Sequence, residues 1–157
     1  MLLQGKKAIV TGGTRGIGFA VVQSFLKNGA SVALFGSRQE TVDKALAALK
    51  AENSDWEVIG MAPDLTDYAA VDAAFAEVEK AFGRIDILVN NAGISAREPL
   101  YDYTPEAFEK IMRLNVSAVF NGCRAAAPRM KAQGGGSIIN TSSMVSLYGQ
   151  PSGVGYP

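Results

Sequence analysis

The sequence predicts an α/β protein, a doubly wound sheet of parallel strands covered by helices on both sides. Three observations lead there. Short runs that are apolar at every position alternate with segments whose apolar residues recur at helical spacing. The joins between them are short and rich in Gly and Asn. Strands apolar on both faces need helices on both, and right-handed crossovers then wind the sheet in two directions.

The elements follow in order. Ala8-Ile9-Val10 reads as a buried strand that ends in Thr11-Gly12-Gly13. Ile17, Ala20, Val21 and Phe25 mark a first helix, stopped at Asn28-Gly29. Val32-Ala33-Leu34-Phe35 is a second strand, and Val42, Ala45, Leu46 and Leu49 form the face of a second helix. Residues 56–61 read as a third strand. Val71, Ala74, Phe75, Val78 and Phe82 mark a third helix, capped by Thr66 or Asp67. Residues 85–89 are the fourth strand. Thr104-Pro105-Glu106 supplies an N-cap, a proline at the first helical position and an acid suited to the helix dipole. Val116, Val119, Phe120, Cys123, Ala127 and Met130 continue this long helical region up to Gly134-Gly135-Gly136, and residues 137–141 are the fifth strand. No repeat, low-complexity tract or linker divides the 157 residues, which read as one domain.

Composition removes several functions. Lys+Arg and Asp+Glu both number 15, so zero net charge gives no electrostatic footprint for nucleic acid. There is no His and one Cys, which excludes Cys/His zinc sites and any triad that needs imidazole, and no metal site is expected. The lone Cys123 excludes an internal disulfide and fits a cytoplasmic location. No run of about 18 apolar residues exists to span a membrane, and the first residues lack the features of a signal peptide.

In a doubly wound sheet, ligands sit beyond the carboxyl ends of the strands. The first such end reads Thr11-Gly12-Gly13-Thr14-Arg15-Gly16-Ile17-Gly18, a strand-to-helix turn. Its glycines let the backbone approach a pyrophosphate, and the helix N-terminus offers free N–H groups. The G-x-G-x-x-G spacing is absent, because Val21 stands where the third Gly belongs. A kinase- or GTPase-type phosphate loop fails too, with Phe19-Ala20 in place of Lys and Ser/Thr. A plain Gly-rich turn remains open on residues alone.

The second end, Phe35-Gly36-Ser37-Arg38-Gln39-Glu40, lacks the acid that would bind a ribose 2′-hydroxyl. Ser37 and Arg38 suit a 2′-phosphate, which favours NADP(H) over NAD(H). Equally, Ser37 and Glu40 have capping-box spacing, and Arg38 would then be surface. At the third end, Asp64, followed by Leu65, either accepts a hydrogen bond from an adenine amino group or helps cap the next helix. At the fourth, Asn90-Asn91-Ala92-Gly93 combines small residues on which a flat cofactor can lie with Asn side chains able to tie strand ends together.

The order Thr11-Gly12-x-x-x-Gly16-x-Gly18, Asp64, Asn90-Asn91-Ala92-Gly93, Asn115, Ser143 and Tyr156 resembles the short-chain dehydrogenase/reductase family along the whole chain. Within that family, the first loop is similar to 3-oxoacyl-carrier-protein reductases and to bile-acid hydroxysteroid dehydrogenases of intestinal bacteria. Residues 119–122 and 152–157 lean toward the latter.

The resemblance implies a Rossmann-like fold, incomplete at its C-terminal side, and a carbonyl/alcohol oxidoreductase. Gly12, Thr14, Arg15, Gly16, Ile17, Gly18, Ser37, Arg38, Asp64, Leu65, Asn91, Ala92 and Gly93 would hold the cofactor. Tyr156 would exchange the proton, Ser143 would hydrogen-bond the substrate oxygen and Asn115 would hold a water. Taken alone, each has a plainer reading: surface Tyr, turn Ser, and an Asn bonded to local backbone. The family also has a Lys four residues past the Tyr, which lowers the phenol pKa from about 10. That position lies beyond Pro157. The expectation is therefore the N-terminal part of an enzyme, inactive alone, with a small ketone or alcohol substrate and a homodimeric or homotetrameric assembly. The competing expectation is a nucleotide-binding module without catalysis. Leu100, Tyr101 and Tyr103 are candidates for an apolar mouth, or equally for packing or subunit contacts.

Overall fold

The structure is a computed structural model and describes residues 1–148. Five parallel strands form one sheet in the order β3-β2-β1-β4-β5. These are β1 (Lys7–Thr11), β2 (Ser31–Phe35), β3 (Val58–Met61), β4 (Ile87–Asn90) and β5 (Ser137–Asn140). The helices are α1 (Gly16–Lys27), α2 (Gln39–Glu52), α3 (Tyr68–Phe82), α4 (Pro105–Met112) and α5 (Ala118–Ala132). The chain winds outward from β1 through β2 to β3, then returns to place β4 on the other side of β1. That reversal opens a crevice between the ends of β1 and β4.

Alternation along each strand divides the core in two. Ala8, Val10, Val32 and Leu34 face α1 and α2, against Val22, Leu26, Val42, Ala45 and Leu49. Ile9, Ala33, Phe35 and Leu88 face α3 and α5, against Val71, Phe75, Val78, Ala125 and Met130. Phe35 and Phe75 meet edge to face at 6.0 Å. Arg129 bolts α5 to α3 through Asp72 (2.7 Å) and Glu79 (3.3 Å).

Several sequence expectations change in detail. Asp67, not Thr66, caps α3, accepting from the Ala69 N–H. The capping box at Ser37 and Glu40 does not form: α2 starts one residue later, after Arg38, with no side-chain cap. The long helical region is two α-helices joined by a π-helical turn, Arg113–Ser117. β5 is not buried: Ile138 and Ile139 are 36% and 49% exposed, because among the described residues nothing pairs with its outer edge and its faces are only partly covered. Thr104 and Pro105 start α4 as expected, with Thr104 Oγ1 accepting from the Ala107 N–H at 3.2 Å.

Candidate functional site

The turn after β1 is shaped by its glycines. Gly12 (φ +66°) and Gly16 (φ +56°) adopt left-handed backbone that favours glycine. A Cβ on Gly16 would point into open space, so its backbone faces a void. A Cβ on Gly18 would fall 2.1 Å from the Gly12 carbonyl oxygen and 2.5 Å from Asn91 Nδ2, so only glycine lets α1 start this close to the strand ends. No side chain caps α1, and its first turn holds no acid. Its leading N–H groups and positive dipole end are therefore available to an anion.

Thr11 and Asn91 stitch the crevice together. Thr11 Oγ1 accepts from the Asn91 and Ala92 N–H groups, both at 3.0 Å. Asn91 Nδ2 donates back to the carbonyls of Thr11 (3.1 Å) and Gly12 (3.4 Å). Asn90 Nδ2 donates to Asn140 Oδ1 at 2.9 Å and so joins β4 to β5. The strand-tying reading of the two Asn side chains thus describes their contacts.

A cavity of about 780 Å³ opens above this seam. Gly12, Thr14, Arg15, Gly16, Ile17 and Gly18 form one wall, Ser37, Asp64 and Leu65 another, and Asn91, Ala92 and Gly93 the floor. The sequence reading missed Gly36, Ile94 and Leu114, which also line it. For Gly36 a signal was present, a glycine directly after a strand: a Cβ there would lie 2.6 Å from Thr14 Cγ2.

Arg38 lies in an adjoining depression of about 360 Å³ with Thr14, Arg15, Ser37, Thr41 and Lys44. Lys44 is paired with Glu40 at 2.6 Å, whereas among the described residues Arg15 and Arg38 form no salt bridge. The adjoining loop is braced internally. Asp64 Oδ1 accepts from Thr66 Oγ1 at 2.7 Å and from the Thr66 N–H at 2.9 Å. The Thr66 hydroxyl, then its N–H, hold the Asp64 carboxyl below the usual carboxylate range.

The residues expected to handle substrate are less gathered. Asn115 lies in the π-helical turn, behind the cavity wall. Its Oδ1 accepts from the Ile94 N–H (2.9 Å) and its Nδ2 donates to the Ile94 carbonyl (2.8 Å), so it bonds the backbone of a distant loop, not its own helix. Ser143 follows β5, off the cavity wall, and its Oγ accepts a long 3.4 Å bond from the Val145 N–H. Tyr156 lies outside the described residues. Leu100 and Tyr101 are 63% and 96% exposed, and neither they nor Tyr103 lines the cavity. Among the described residues no cluster of side chains could hold a metal ion, and no helix is long and apolar enough to cross a membrane.

Comparison with known proteins gives consistent matches. The sequence pattern of the family described as short chain dehydrogenase matches residues 6–157. A 3alpha-hydroxysteroid dehydrogenase of Mediterraneibacter gnavus is 62% identical over 157 residues, covering 100% of this chain and 63% of that protein. An NADP-dependent (R)-specific alcohol dehydrogenase of Lentilactobacillus kefiri is 39% identical, covering 95% of this chain and 58% of that protein. The crystal structure of NAD+-bound xylitol dehydrogenase superposes with a TM-score of 0.93 at 32% identity, covering 99% of this chain and 60% of that one. The chain thus spans about three-fifths of the length of the relatives it matches. With the family pattern matched along nearly all of its residues, the chain belongs to the short-chain dehydrogenases.

Proposed function

We propose that this chain is the dinucleotide-binding part of an NADP(H)-dependent oxidoreductase that interconverts a carbonyl and a secondary alcohol, of hydroxysteroid or 3-oxoacyl type. One observation carries the reading: an uncapped helix N-terminus and a glycine turn form a wall of the cavity beyond the ends of the paired strands β1 and β4. A diphosphate matches the free N–H groups there, and the floor of Asn91, Ala92 and Gly93 leaves room for a flat ring. The 62% identity to a 3alpha-hydroxysteroid dehydrogenase favours the hydroxysteroid class.

When bound, the nicotinamide supplies or takes up the hydride. The protein's own share is the proton and the oxygen. Tyr156 gives the proton in reduction and takes it in oxidation. Ser143 donates a hydrogen bond to the substrate oxygen, and its hydroxyl hydrogen has no acceptor among the described residues. Asn115 fixes the Ile94 backbone next to the floor of the cavity and holds a water on the proton path. The protein works in the cytoplasm as a homodimer or homotetramer, to which the exposed Val116 and Phe120, 51% and 62% accessible, offer an apolar surface.

NADP(H) is favoured over NAD(H) because no acid stands at the end of β2 and, among the described residues, Arg38 forms no salt bridge. Arg38→Ala is expected to weaken NADPH by about 1.5–3 kcal/mol, the range for a hydrogen bond to a charged group, and to leave NADH nearly unchanged. Fluorescence titration of both cofactors checks this. Equal affinities for NADPH in the variant and the wild type would remove Arg38 from the site.

A further inference from the structure

Asn121 lies in the 119–122 stretch but has no role in the site assigned so far, yet it reaches the cavity loop from α5. It is 8% exposed. Its Nδ2 donates to the Leu65 carbonyl at 3.0 Å, across 56 residues of sequence. The loop's other bonds are local: Asp64 Oδ1 with Thr66, and the Asp67 N–H with the Asp64 carbonyl at 3.1 Å. Those give the loop its shape but move with it. Among the described residues, the bond from Asn121 alone ties residues 63–66 to an element beyond the loop and its following helix. The Leu65 side chain packs on the same α3/α5 core. A buried amide is costly unless bonded, and an apolar side chain would fill that helix position without the cost. The amide therefore fixes where Leu65, and with it the neighbouring Asp64 carboxylate, faces the cavity.

We propose that Asn121 is a positioning residue for adenine recognition: it sets the direction in which Asp64 meets the base's amino group. This rests on the dinucleotide reading above. The test uses the complete protein that carries this chain. Dissociation constants are measured for NADPH and for its hypoxanthine analogue, which lacks the 6-amino donor, with wild type, Asn121→Leu and Asn121→Ser.

Wild type is expected to prefer the adenine form by about tenfold or more, as for one hydrogen bond to a charged acceptor. Both variants are expected to lose most of that preference. A purely structural role would weaken both cofactors equally, so variants that keep the wild-type ratio overturn the proposal. If Asn121→Leu fails to fold, the smaller and polar Asn121→Ser decides. Equal binding of the two cofactors by wild type would refute the proposal while leaving the dinucleotide reading intact. No binding of either would refute both.

Discussion

Gly18→Ala is expected to lower NADPH affinity by about 30- to 150-fold, equivalent to about 2–3 kcal/mol. The added Cβ would meet the Gly12 carbonyl oxygen at 2.1 Å and Asn91 Nδ2 at 2.5 Å. Neither can step aside. Gly12 is held in left-handed backbone with its own Cα side against Ala92, where a Cβ would lie 2.9 Å from Ala92 Cα. The Asn91 amide is committed to the carbonyls of Thr11 and Gly12. The start of α1 must therefore retreat, carrying its free N–H groups away from the anion they would bind. Overpacking of this kind also costs about 1–3 kcal/mol in stability. Titration with NADPH and urea unfolding read the two effects separately. A variant that binds as tightly as wild type would mean that α1 does not hold the diphosphate.

Thr11→Val should destabilise the fold by about 2–4 kcal/mol with little change in side-chain shape. Thr11 is 3% exposed, and its hydroxyl accepts from two N–H groups at once. Valine orphans both. Each unsatisfied buried donor costs about 1–3 kcal/mol, and the lower part of the summed range applies because Asn91 and Ala92 are only half-buried. Thr11→Ser keeps the oxygen and should retain most of the stability. Urea unfolding of the three proteins checks this, and equal midpoints for Thr11→Val and wild type would contradict the assigned role.

Much of this architecture was legible in the chain because parallel strands covered on both faces leave unbroken apolar runs. Ala8 to Val10 and Val32 to Phe35 have no other comfortable environment. The strand ends were legible for a related reason, since Gly12, Gly16, Gly18 and Gly93 stand where backbone must approach backbone or ligand. What stayed hidden depends on partners far away in sequence. The π-helical turn at Asn115 accompanies two hydrogen bonds to Ile94, which no local propensity encodes. Asn121 reads as an ordinary helical residue until Leu65 is placed beside it. Ser37 and Glu40 had the spacing of a capping box, but the chain turns into α2 one residue later and leaves Ser37 exposed at the cavity rim. The exposure of β5 was equally invisible, because Ile138 and Ile139 look like core in any sequence window.

The most direct test is a crystal structure of the complete protein with NADPH bound. The diphosphate oxygens should lie about 2.7–3.2 Å from backbone N–H groups at the start of α1, with the adenine against Asp64 and Leu65. A diphosphate bound elsewhere, or a glycine turn filled by the protein's own atoms, would contradict the account.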